Sequence, residues 1–259
     1  LHNYHDSRKT FPPAGFSSNQ VSWLAHILPM IDAGNLYRKI SFNAGDYNGP
    51  TNTGYGPNKN EHAFNRMKEF LCPSTNVERM SLVGGGVQNL REYKDSIPPP
   101  PYTTHYYGIA GPKGVNPVDG STYPLQTGGS GHGDFSLSGL FIIDRVRGVK
   151  DITDGSSNTF AIGEIAWTNT SIGGGTRYRS WIRGCQATGG WCAGTRNLQN
   201  SIGTQVQTVF NDIDFGSSHT GGTFFGMADG AVRFVNQRMN LSVYKSMGSI
   251  AGNEADILN

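Results

Sequence analysis

The sequence predicts a single α+β domain, on three observations. Apolar residues recur at helical spacing near the start of the chain, and β-branched and aromatic runs between glycine-rich breaks fill its second half. Asp229-Gly230 sits between two strand-forming runs, the pattern of a hairpin turn. The 259 residues divide into a helical part (1–40), a loop-rich part (41–139) and a β-rich part (140–259).

Leu1 to Asp6 reads as the end of a helix, stopped by Thr10-Phe11-Pro12-Pro13. From an N-cap at Ser22, Trp23, Leu24, Ile27, Leu28 and Ile31 share one helical face, which Pro29 interrupts and Leu36 and Tyr37 continue. Residues 41–62 read as a surface loop, and Ala63 to Phe70 as one more short helix. Gly84-Gly85-Gly86, the extended run Pro98 to Pro101 and the Gly, Ser and Pro of 112–139 mark further long loops. Strands are expected over Tyr106–Ala110, Leu140–Ile143, Thr159–Trp167, Tyr178–Ile182 and Thr204–Val209. The hairpin spans Thr223 to Val235 with a two-residue type I′ turn, and Asn240 to Met247 forms a closing helix ended by Gly248.

A net charge of +2 offers no field to gather nucleic acid, and no apolar run is long enough to span a membrane as a helix. The chain starts at Leu1 without a basic-then-apolar leader, so a segment removed upstream is expected. Three cysteines are too few for a disulfide scaffold and lack the paired spacing of a zinc site. Cys185 and Cys192 enclose a short Gly-rich loop, and a disulfide between them is expected if the chain is exported.

Asp151, Asp154, Ser156 and Asn158 place oxygen-bearing side chains within eight residues around Gly155. Hard cations favour such loops, making Asp151, Asp154 and Asn158 candidate calcium ligands; turn capping explains the same residues. Asp212 and Asp214 are a second candidate, equally suited to a strand with both carboxylates facing water. His2 and His5 have the spacing to share a metal ion, whereas His26, His62, His105 and His132 form no sequence cluster. Trp167, Trp181 and Trp191 suit a sugar platform, a core or an interface. No phosphate-binding loop is present.

Five stretches carry a resemblance. They are Leu1-His2-Asn3-Tyr4-His5-Asp6 leading to Phe11-Pro12-Pro13, Ser22-Trp23 to Leu28-Pro29, and Phe70-Leu71-Cys72-Pro73-Ser74. Asp151 to Thr159 with Gly163-Glu164 follows, and last comes His219, nine residues, then Asp229-Gly230. In this order they resemble a family of prepilin-type bacterial proteins of unknown function, related to type IV pilins and type II secretion pseudopilins. The resemblance implies a pilin-like fold, with the tail of an N-terminal helix packed on an antiparallel sheet. It implies a non-enzymatic subunit, exported to the cell surface or beyond, that forms homo-oligomers or filaments, other pilin-like subunits being further partners. Contact with a membrane would run only through an upstream helix. The alternative is an extracellular binding module for glycans or another surface polymer, with a secreted hydrolase behind both.

Ser217, Ser218, His219 and Asp229 supply the residue types of a hydrolase triad, but no nucleophile elbow is present. His219, Asp229 and Gly230 are therefore read as a structural signature. No cofactor is expected beyond the candidate calcium.

Overall fold

The computed structural model describes residues 1–47, 59–80, 100–129, 131–166, 171–172, 175–176, 179–205 and 209–254. Helix α1 (His2–Arg8) ends at Lys9, whose positive φ of 61° stops it one residue before Thr10. The hairpin of β1 (Gly15–Phe16) and β2 (Val21–Ser22) leads into α2 (Trp23–His26), a 3₁₀ turn (Leu28–Ile31) and α3 (Gly34–Tyr37). The single helix expected here is thus three pieces: Pro29 lies at the start of the 3₁₀ turn, and Asp32 leaves it in the left-handed region. Ser22 precedes α2, yet its hydroxyl donates to the Trp181 carbonyl instead of capping the helix. The helix expected over 63–70 is replaced by two 3₁₀ turns, Asn60–Phe64 and Lys68–Phe70.

β3 (Tyr106–Pro112) enters the main sheet, and β4 (Leu125–Gln126) pairs with β5 (Phe135–Ser136). β6 (Phe160–Glu164) follows, then two small hairpins, β7 (Ser171–Ile172) with β8 (Gly175–Thr176) and β9 (Cys185–Gln186) with β10 (Trp191–Cys192). β11 (Thr195–Leu198), β12 (Gly222–Met227), β13 (Val232–Asn236) and helix α4 (Leu241–Ser246) complete the chain. The Asn240 side chain caps α4 by accepting from the Ser242 N–H.

The main sheet runs β11-β3-β6-β12-β13. It is mixed, not antiparallel as expected, because β11 pairs parallel to β3. No long N-terminal helix crosses it among the described residues. The strand expected over Tyr106–Ala110 is present as β3, two residues longer and inside the sheet. Leu140–Ile143 is not a strand but a buried run with isolated bridges. Around 178–182 only Ser180 bridges, to Thr103, and Tyr178 lies outside the described residues. Thr204 and Gln205 form no strand, and 206–208, Gly84 to Gly86, Pro98, Pro99 and Trp167 also lie outside.

Both sheet faces are covered. Along β3, Tyr107 and Ile109 join one apolar cluster, with Phe160, Phe215, Phe225 and Tyr244. Ala110 joins the other, with Trp23, Leu28, Phe141 and Trp181. No helix among the described residues is long and apolar enough to cross a membrane.

The hairpin turn holds three residues, not two. The Gly230 N–H donates to the Met227 carbonyl and the Met227 N–H to the Ala231 carbonyl, while only Gly230 has positive φ (93°). This is a type I turn closed by a glycine bulge. Asp229 accepts from the Ala231 N–H at 2.9 Å. The segment carrying Ser156 and Thr159 also braces the turn, through bonds from the Asp229 and Ala228 N–H groups to its carbonyls.

Candidate functional site

The chemistry-bearing side chains meet where β6 ends, beside the loop that precedes β12. Glu164 closes β6 and pairs with Tyr106 of β3. Gly163 before it is required, since a Cβ there would collide with the Phe215 and Phe225 rings. The Glu164 carboxylate is 2% exposed and accepts from the Thr223 hydroxyl at 2.9 Å.

Cys72 reaches the same place from the turn after Phe70. Its N–H donates to His105 Nδ1 at 2.8 Å, and the His105 N–H donates to the Phe70 carbonyl, so the segment is tied to the start of β3. His105 is held neutral, its pKa lowered to about 4 by burial. The Cys72 Sγ lies 2.8 Å from Ser74 Oγ. Burial, and after it a hydrogen bond with Glu164, pushes the thiol pKa up.

His219 closes the cluster. Its Nε2 stands 3.9 Å from Glu164 Oε1 and 3.4 Å from Ser74 Oγ, and its ring meets Phe224 edge-on. One donor atom each from Cys72, Glu164 and His219 lie within 4.8 Å of one another. They face a cavity of about 640 Å³ with apolar walls that include Leu1, Trp23, Leu24, Ile27, Phe224 and Val232. Tyr106 also lines it, its phenol pushed up to about 12 by burial and by the neighbouring Cys72 and Glu164. A larger hollow of about 830 Å³ beside α1 brings together only Arg8 and His26 among charged or titratable nitrogen groups.

The other candidates are placed apart. Asp229 lies beyond the far end of β12 from His219, roughly 17 Å of strand away. Ser217 and Ser218 donate to the Gly222 and Ala166 carbonyls, and Ser217 Oγ accepts the His219 N–H. Ser217, Ser218 and Asp229 therefore do not form a triad with His219. Asp151 accepts from the Gly148 N–H and Asp154 from the Gly252 N–H, each at 2.7 Å, while the Asn158 N–H bonds to the Gly155 carbonyl. The Asp151 carboxylate thus caps its own turn, whereas that of Asp154 ties its segment to a residue 98 positions further along the chain.

Asp212 and Asp214 are buried, contrary to the water-facing strand expected of them. Asp212 pairs with Lys113 at 2.6 Å and accepts from Asn197, and Asp214 accepts from the Gln205 N–H. His2 and His5 both pack on the Phe11 ring. Trp181 is fully buried, and Trp191 lies between His132 and Arg183, so neither offers an open sugar platform. Cys185 and Cys192 are joined by a disulfide across the β9–β10 hairpin.

Cys72, Glu164 and His219 come from three of the stretches that carry the resemblance, and a family profile described as "Protein of unknown function (DUF1559)" matches residues 1–242. The chain belongs to the DUF1559 family. No curated protein and no solved structure matches it. In this DUF1559 protein the family-like stretches thus share a location as well as an order. Leu1 lines the cavity above the cluster, and His2 packs against Gly230 of the hairpin turn.

Proposed function

We propose that this DUF1559 protein is a non-catalytic, exported structural subunit that associates with copies of itself in a filament or cell-surface assembly, as the pseudopilins it resembles do. The observation that carries the reading is an aromatic ridge at the open edge of the main sheet. Phe224 and Phe234, stacked edge to face at 5.2 Å, are 40% and 46% exposed, and Val232 beside them is 70% exposed. Among the described residues β13 is the outermost strand of the sheet, with no strand paired to its outer backbone edge.

Head-to-tail growth needs two different patches on each subunit. Val115 with Val118, and Val146 with Val149, supply exposed apolar surface elsewhere on the chain. The net charge of +2 gives little repulsion between copies. The disulfide suits an oxidising, extracytoplasmic compartment.

Sedimentation velocity over a wide concentration range tests the reading. The chain should associate reversibly, and Phe234→Asp should abolish association while leaving the melting curve nearly unchanged. A wild-type chain that stays monomeric at the highest concentrations would remove self-assembly.

A further inference from the structure

We propose that Cys72, Glu164 and His219 form a binding site for one zinc-class divalent cation, with the fourth coordination position open to the cavity. This inference is independent of the association reading, and either can fail alone.

The donor set selects the metal. A thiolate, an imidazole nitrogen and a carboxylate oxygen suit a borderline-soft cation in tetrahedral geometry. Calcium and magnesium prefer a shell of oxygens. A tetrahedral centre with bonds of about 2.0–2.3 Å places its donors about 3.3–3.7 Å apart. The His219 Nε2 to Glu164 Oε1 separation is 3.9 Å and the largest of the three lies within 4.8 Å, so small side-chain rotations close the shell. His219, one-third exposed, is free to make that adjustment.

Charge points the same way. Glu164 is a buried carboxylate, and among the described residues no lysine or arginine pairs with it. Its hydrogen bonds from Thr223 and Phe224 fall on Oε2, leaving Oε1 toward His219. A divalent cation held by one carboxylate, one thiolate and a neutral imidazole is a net-neutral unit, which a buried position tolerates far better than a lone anion. On binding, Cys72 Sγ gives its proton to solvent and its lone pair to the metal. Outer contacts already orient the ligands: Ser74 on Cys72, Thr223 on Glu164, Phe224 on His219. The apolar walls of the cavity leave room at the fourth position for water or a small ligand.

Cobalt(II) is the probe, titrated into chelator-treated protein with its disulfide intact. Since Cys185 and Cys192 are bonded to each other, Cys72 is the one free thiol, and a sulfur-to-cobalt charge-transfer band has a single source. The expected result is a band saturating at one equivalent and discharged by zinc. It should be absent in Cys72→Ser, with affinity lowered at least about tenfold in His219→Ala. Should Cys72→Ser fail to fold, zinc must still protect Cys72 of the wild-type chain from alkylation. No band at saturating cobalt, no protection, affinity unchanged in His219→Ala, or binding that survives Cys72→Ser but is lost in His2→Ala would overturn the assignment.

Discussion

Gly230→Val should destabilise the fold by about 2 kcal/mol. Gly230 is the left-handed position that closes the hairpin turn, with φ of 93°. A non-glycine residue there costs about 1–2 kcal/mol from the clash of Cβ with its own backbone, and β-branching adds to this. The new Cβ would also lie 3.2 Å from two atoms of the His2 ring, a contact that the exposed His2 can relieve by turning. At a melting entropy of about 2.1 cal/mol/K per residue over the chain, 2 kcal/mol corresponds to a fall in Tm of roughly 4 °C. Thermal unfolding of the oxidised protein measures it. Gly221→Val is the matched control, because Gly221 has φ of 85° and nothing within 4 Å of a Cβ, so it reports backbone strain alone. The difference between the two variants reads the His2 contact and should vanish in a His2→Ala background. A Gly230→Val protein melting within about 1 °C of wild type would refute the turn geometry.

Further outcomes are expected from the same contacts. Asp229→Asn should cost under about 0.5 kcal/mol by urea denaturation, since an Asn oxygen accepts the Ala231 N–H as well. Reducing Cys185–Cys192 should lower stability by about 2.5 kcal/mol for so short a loop in the chain-entropy model, read from urea midpoints with and without reductant. Lys113→Ala should cost about 3–5 kcal/mol in the same assay, because it leaves the buried Asp212 carboxylate without its cation. His26, held between Phe16 and Phe42, has its pKa lowered to about 4 by burial and then by Arg8. The unfolded chain therefore takes up this proton first as pH falls, and the stabilisation present above pH 6.5 is lost progressively toward pH 4. His26→Phe should gain stability relative to wild type between pH 7 and 4.5; a constant difference would contradict the shift.

The hairpin was legible because its signals are local: Asp-Gly between two strand-forming runs. Its third loop residue was not, since Ala228 enters the turn through a bond to Thr159, far away in sequence. β11 was missed because Thr195-Arg196-Asn197-Leu198 is polar, although all four residues are buried and the Arg196 guanidinium lies over the Tyr107 and Phe210 rings. Leu140–Ile143 failed in the opposite sense: its apolar run fills the space under the sheet, with Phe141 against Trp23. Periodicity reports burial but cannot name the partner. The site shows the same limit. His219 and Asp229 stand together in the sequence signature, yet β12 carries them apart, while Cys72 and Glu164 join His219 through sheet pairing and loop packing that no local spacing encodes.

Electron microscopy of native material, at a resolution that traces side chains, is the decisive measurement for the proposed association through the sheet edge. Ordered arrays are expected, with Phe224 and Phe234 buried against a different patch of the next subunit. Isolated monomers, or an assembly that leaves the ridge facing solvent, would contradict it.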